Sequence, residues 1–241
     1  YLPRKGEPGR AAQLGTLQGL YHERLTDPRL GDWLAGERSA DPDEQAMVRV
    51  LARERDRAVK IPPALVKAIA EAQSLALSAW REARTKKDFS IFRPHVQGLL
   101  ELRRQQADAL GHDGERYDAL LENYEPGMRV KRLQPVLSGL RAKLVPLVDA
   151  IDGKPKPRAI FAGQRFDPDV QWTFTLSLLE AMGFDLEAGR QDRSTHPFTG
   201  GTGLFDVRLT TRLFPELPLS SVFSTVHEGG HGLYEQGFDP K

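Results

Sequence analysis

Residues 217–237 read LPLSSVFSTVHEGGHGLYEQG, and this stretch contains the pattern that dictates a chemistry. Apolar residues recur at steps of three and four on both sides of the two central histidines, which is typical of an amphipathic helix. Serines that can act as N-caps precede the first apolar residue, and a glycine ends the pattern. We therefore predict a helix over about 221–237.

The histidines of this helix form an H-E-x-x-H motif, His227-Glu228-Gly229-Gly230-His231. Positions i and i+4 of a helix share one face, so both imidazoles can bind one metal ion. Zinc suits this donor set, and cobalt is also possible. Glu228 is the expected general base that deprotonates a metal-bound water. The alternative is a pair of surface histidines beside an ordinary glutamate.

The motif is unusually rich in glycine. Gly229, Gly230 and Gly232 each cost the helix about 1 kcal/mol relative to alanine. Such a cost needs a compensating reason, and the close approach of another backbone or of a peptide substrate would supply one.

A third metal ligand is hard to find in this sequence. The metzincin pattern needs a histidine six residues after His231, where the chain has Gly237. Glu235 lies one turn along the same helix, and Asp239 is a weak candidate. We therefore expect the third ligand to lie outside this sequence. The absence of an initiating methionine and the early end at Lys241 also predict a fragment that lacks its N-terminal start and its C-terminal half.

Composition narrows the functional classes. The 34 basic and 33 acidic residues give a formal net charge of +1, which offers no electrostatic reason to expect a nucleic acid or an acidic membrane surface as partner. The chain has no cysteine, which excludes thiol catalysis and fits a reducing cytoplasm. No apolar run approaches the roughly 20 residues that a membrane span requires.

The sequence predicts a mainly α protein, with consecutive helices over about 1–183. Apolar stripes within 14–21 and 133–148 are expected to be core, and Asp167-Pro168 and Gly183 are expected to bound one helix. His22 is expected to be a surface or half-buried residue. A small antiparallel sheet is predicted over about 184–212, with residues 199–203 (TGGTG) as a turn. We expect one domain over 1–241, in which a sheet edge beside the motif helix could hold an extended peptide.

Three stretches together resemble the carboxypeptidase Taq family of zinc metallocarboxypeptidases: residues 192–198 (DRSTHPF), 206–211 (DVRLTT) and 227–237 (HEGGHGLYEQG). Their order and spacing match the H-P-F, D-x-R-x-T and H-E-x-x-H signatures of that family. Residues 22–28 are similar to its early helices, so the resemblance spans the whole chain.

The resemblance implies a helical, cleft-shaped zincin-type peptidase related to neurolysin-like enzymes and usually a homodimer. It would release single residues from peptide C-termini with broad specificity, with His227 and His231 as metal ligands and Glu228 as the base. His196, Asp206 and Arg208 would line and brace the substrate cleft.

Other roles remain open for the cleft residues. His196 could instead be a capping or core histidine before a proline. Asp206 could orient a ligand imidazole through a hydrogen bond, or form a simple salt bridge with Arg208. For the protein as a whole, the alternatives are a zinc oligoendopeptidase and a non-catalytic helical domain. The fragment alone is expected to be inactive, because the third ligand and the group that binds the substrate's terminal carboxylate are missing.

Overall fold

The fold is known from a computed structural model that describes residues 4–156 and 158–239. These residues are mainly helical, as predicted, and positions 1–3 and 157 of the predicted helical part lie outside them. The helices are α1 (Glu7–Thr26), α2 (Pro28–Gly36), α3 (Pro42–Ala58), α4 (Pro63–Lys86), α5 (Arg93–Leu110), α6 (Arg116–Leu121), α7 (Val130–Asp152), α8 (Pro168–Met182) and α9 (Pro218–Gln236). The strands are β1 (Gly189–Arg193), β2 (Thr199–Gly203) and β3 (Asp206–Thr211).

The chain divides into two compact units, Tyr1–Ile151 and Asp152–Lys241. The first unit contains α1 to α6 and nearly all of α7, whereas the second contains α8, the three strands and α9. The single domain expected over 1–241 stays a prediction. Across the described part of the chain, no helix is both long enough and apolar enough for a membrane span.

In the first unit, α1 packs on α4, and α4 packs on α5. The prediction for His22 is wrong, because this side chain is buried in the unit. Its Nε2 lies 3.0 Å from the carbonyl oxygen of Ala58, at the end of α3. The predicted core role of residues 14–21 is also wrong in part: Leu17, Leu20 and Tyr21 are exposed, and the buried residues of α1 are Ala11, Gly15 and His22.

Helix α7 departs further from expectation. Its apolar stripe includes Val136, Leu137, Leu140 and Leu144, all of which are exposed, and none of its described residues is buried. The periodicity correctly predicted an amphipathic helix. It could not predict whether another element covers the apolar face, which is why the expected core is wrong here.

The second unit is built around the sheet and its two helices. Helix α8 begins after Asp167, whose carboxylate accepts hydrogen bonds from the backbone N–H groups of Asp169 and Val170. It ends at Gly183, which adopts a left-handed conformation with φ of 87°. Both limits agree with the prediction, because the capping chemistry is local.

The sheet is mixed, so the predicted antiparallel sheet is wrong in part. The strand order is β1-β3-β2, with β1 parallel and β2 antiparallel to β3. The glycine-rich segment predicted to be a turn is strand β2, and the tight connection lies at Leu204 and Phe205. A register shift between Gly201 and Gly203 marks a bulge in this glycine-rich strand.

Helix α9 contains the H-E-x-x-H motif, as predicted, but begins three residues earlier than expected. Its first residue is Pro218, and no side chain caps its N-terminus. Ser221, a candidate cap, is instead buried inside the helix and donates a hydrogen bond to Gln171 Oε1 on α8. Proline at the first helical position needs no N–H partner, which permits the earlier start.

Candidate metal centre

The two motif histidines lie side by side on one exposed face of α9. The ring centroids of His227 and His231 are 4.9 Å apart and the ring planes are inclined at 79°. Both residues are exposed. The helix therefore presents two imidazoles to one region outside the second unit, which is what binding of one metal ion requires.

Glu228 lies between the histidines in sequence, but it is buried whereas they are exposed. Its residue is only 7% exposed. Thr199, the first residue of β2, donates a hydrogen bond from its hydroxyl to Glu228 Oε2 at 2.7 Å. The same hydroxyl lies 3.0 Å from the backbone carbonyl oxygen of Glu228. No sequence pattern points to Thr199, although it directly follows His196-Pro197-Phe198.

Two of the three motif glycines allow α9 to pack closely on the rest of the second unit. A β-carbon on Gly229 would lie 2.8 Å from Leu179 Cδ2, and one on Gly232 would lie 2.6 Å from Phe184 Cε2. Leu179, Phe184 and Leu209 belong to the buried core of this unit. Close approach was the expected reason for the glycines, but the neighbours are apolar side chains rather than a backbone or a peptide.

A buried polar network links α9 to α8 and β1. The side-chain amide of Gln191 on β1 donates to Thr175 Oγ1 on α8 at 2.9 Å and accepts from Thr225 Oγ1 on α9 at 3.1 Å. All three residues are buried. A fully satisfied polar network in a core favours one arrangement of its elements, so these residues set the position of the motif helix. Sequence patterns gave no signal for them.

His196 lies in the loop between β1 and β2, and its side chain is exposed. Within the described residues, no hydrogen bond of its imidazole is found. The loop itself is fastened by Thr210 of β3, whose hydroxyl lies 2.7 Å from Ser194 Oγ and accepts from the backbone N–H of Phe198 at 3.0 Å. The H-P-F and D-x-R-x-T stretches are therefore in direct contact.

Asp206 and Arg208 form a bidentate ion pair, with Nε–Oδ1 and Nη2–Oδ2 distances of 2.6 and 2.9 Å. Thr202 adds a hydrogen bond to Asp206 Oδ2. Hydrogen bonding from Arg208, and then from Thr202, lowers the pKa of the Asp206 carboxyl. Among the described residues the structure thus has the salt-bridge alternative for Asp206, with no hydrogen bond to either motif imidazole.

The Asp206–Arg208 ion pair lies on the face of the sheet opposite to the hydrophobic core of the second unit. Val207 and Leu209 are buried against the core that α8 and α9 share. Asp206 and Arg208 alternate with them along β3, so they point to the opposite face.

The donor set for a metal is incomplete among the residues that the structure describes. Over residues 4–156 and 158–239, no group of three or more His, Cys, Asp or Glu side chains is placed to hold a metal ion. Glu235 and Asp239 therefore do not complete a site with His227 and His231. The two imidazoles suit zinc or cobalt in chemistry and position, and a complete zinc site needs at least one further ligand.

The sequence model of one family, described as carboxypeptidase Taq (M32) metallopeptidase, matches residues 1–241, which is the whole chain. The chain belongs to this family. Thermostable carboxypeptidase 1 of Thermus thermophilus is 40% identical over 98% of the chain, and its namesake from Pyrococcus furiosus is 36% identical over 97%. The crystal structure of an M32 carboxypeptidase from Deinococcus radiodurans covers the full chain with a TM-score of 0.83 and 37% identity.

The chain spans about half the length of these M32 relatives. It covers 49% of the Thermus protein, 48% of the Pyrococcus protein and 49% of the Deinococcus chain.

Proposed function

We propose that the protein is a metal-dependent carboxypeptidase that releases C-terminal amino acids from peptides with broad specificity. One observation carries this proposal: α9 presents His227 and His231 together on an exposed face while it keeps Glu228 buried and hydrogen-bonded. Membership of a metallocarboxypeptidase family supports the same reaction.

His227 and His231 are the proposed metal ligands. Zinc is the proposed ion and cobalt the alternative. The bound ion would lower the pKa of a coordinated water to about 7 and polarise the scissile carbonyl. Glu228 is the proposed general base. Its carboxylate takes one proton from the attacking water and returns it to the amine that leaves, while the water oxygen becomes part of the new carboxylate.

The rest of the site is proposed to come from the part of the protein that this chain does not include. That part would supply the third ligand and a cationic group for the free carboxylate of the substrate. Support comes from the incomplete donor set among the described residues and from the length of the relatives. The chain by itself is accordingly proposed to be inactive.

The substrate peptide is proposed to lie along β2. This strand is at one edge of the sheet, so its outer backbone groups are available to pair with an extended chain. It packs against α9, and its glycine residues leave its surface open. His196, Asp206 and Arg208 are proposed to line and brace the cleft wall.

Several broader features are also proposed. These are a zincin-type architecture related to neurolysin-like enzymes, a homodimer, and a cytoplasmic location without nucleic-acid or membrane partners. The absence of cysteine and the near-neutral charge support the location and the partners.

A peptide assay tests the proposal on the full-length protein. A peptide with a free C-terminus should lose single residues from that end, and the same peptide with an amidated C-terminus should not be cut. Internal cleavage of the amidated peptide would instead indicate an oligoendopeptidase. Absence of both activities, together with no bound metal at neutral pH, would indicate a non-catalytic domain.

A further inference from the structure

We propose that Thr199 is a positioning residue that holds the carboxylate of Glu228 in its reactive orientation. The inference rests on the proposed function of Glu228 and extends it to a residue on another element. Thr199 opens β2, whereas Glu228 lies on α9, 29 positions further along the chain.

The hydrogen-bond chemistry assigns the direction of this contact. A carboxylate oxygen and a backbone carbonyl oxygen are both acceptors, so the hydroxyl of Thr199 is the only donor among the three groups. Its distances are 2.7 Å to Glu228 Oε2 and 3.0 Å to Glu228 O. The shorter contact is to the charged oxygen, where a hydrogen bond is also stronger.

The contact selects one oxygen of Glu228 for the reaction. Oε2 is occupied by the hydroxyl of Thr199, and Oε1 is left to accept the proton of water. Among the described residues, Thr199 is the one hydrogen-bond donor to this carboxylate, and the residue is only 7% exposed. Loss of the hydroxyl would therefore leave a buried oxygen without its donor and free the side chain to rotate.

Thr199 is itself held in place by the neighbouring strand. Its α-carbon pairs with Leu209 of β3. On the preceding residue, Phe198 O accepts from the backbone N–H of Thr210 at 2.9 Å, and Phe198 N–H donates to Thr210 Oγ1. A continuous path thus runs from Thr210 through Phe198 and Thr199 to Glu228. Through these contacts, the D-x-R-x-T and H-P-F stretches hold the glutamate of the H-E-x-x-H motif in position.

The test compares variants of the metal-loaded full-length enzyme. Thr199→Val removes the hydroxyl and keeps the shape, and Thr199→Ser keeps the hydroxyl. We expect Thr199→Val to lower kcat by about 10- to 100-fold, as is usual for residues that orient a catalytic group, with KM and bound metal unchanged. Thr199→Ser should stay within about threefold of wild type. Thr173→Val is the matched control, because among the described residues the exposed hydroxyl of Thr173 bonds only the backbone carbonyl of Asp169 in α8.

A second test measures the melting temperature of the metal-free protein and does not depend on enzymatic activity. Thr199→Val should lower the melting temperature in the wild-type background and lower it less when Glu228 is already alanine. Should the valine variant not fold, Thr199→Ala is compared with Thr199→Ser in both measurements. Equal kcat values for wild type and Thr199→Val, or an equal melting shift in both backgrounds, would overturn the inference. A wild-type enzyme that cleaves no peptide would instead refute the proposed function itself.

Discussion

Gly229 lies against Leu179 so closely that a β-carbon on the glycine would come within 2.8 Å of Leu179 Cδ2. Leu179 is completely buried in the core of the second unit. Met182 lies on the same side, with its Cε at 3.1 Å from that position. At this point the backbone of α9, which carries both proposed metal ligands, packs directly on side chains of α8, with no side chain of its own in between.

Gly229→Ala is expected to destabilise the protein although alanine is the better helix former. The gain in helix propensity is about 1 kcal/mol. Overpacking of a core costs about 1–3 kcal/mol, and the buried Leu179 has little freedom to move. The net effect is therefore a loss, which chemical denaturation will measure as a lower midpoint.

Gly230→Ala is the matched control for that experiment. No atom lies within 4 Å of a β-carbon at Gly230, so this change should stabilise the helix by up to about 1 kcal/mol. If both alanine variants shift the denaturation midpoint equally, close packing at Gly229 is not the reason for that glycine.

Gln191→Leu is expected to cost about 1–3 kcal/mol of stability, because it removes a hydrogen-bond partner from two buried hydroxyls at once. These are Thr175 and Thr225. Thermal and chemical unfolding will measure the loss. Adding Thr175→Val and Thr225→Val to the same protein should recover much of it, since all three polar groups are then absent. A triple variant less stable than Gln191→Leu would contradict this account.

Glu228→Gln in the full-length protein is expected to lower kcat by at least about 100-fold, because glutamine cannot take a proton from water. Bound metal should stay at the wild-type level, since the proposed ligands are His227 and His231. Peptide hydrolysis and metal analysis of the same preparation measure the two effects. Wild-type turnover by this variant would refute the role of Glu228 as the base.

Asp206 is expected to titrate below the ordinary range of an aspartate, because Arg208 lowers the pKa of its carboxyl. The group is ionised more readily in the folded than in the unfolded protein. Its contribution to stability is therefore complete above the unfolded pKa of about 4 and is lost as the pH falls through the folded value. NMR titration of the side-chain carboxyl carbon will measure the shift. Arg208→Gln should move the midpoint upwards, and an unchanged midpoint would contradict the assigned cause.

Sequence alone predicted those features that depend on neighbouring residues. The limits of α8 follow from the capping carboxylate of Asp167 and the left-handed Gly183, and the two imidazoles follow from the i, i+4 spacing. The start of α9 was missed because Ser221, a good N-cap in isolation, is used by the distant Gln171.

Features that depend on distant contacts could not be predicted. Strand β2 resembles a turn in composition, and only its ladder with β3 makes it a strand. The contact of Thr199 with Glu228 has no periodic signal, since the two residues belong to different elements. The exposed stripe of α7 shows the same limit, because a pattern defines an apolar face but not what covers it.

The strand order β1-β3-β2 has a consequence for the order in which the second unit folds. The β2–β3 hairpin closes through a tight connection, so it needs only local chain motion. Strand β1 must find the other side of β3 across the intervening β2 segment, which is a slower search. We therefore expect the β2–β3 hairpin to form before β1 joins the sheet. Thr199 is then already in place when α9 packs on the sheet and brings Glu228 into contact with it.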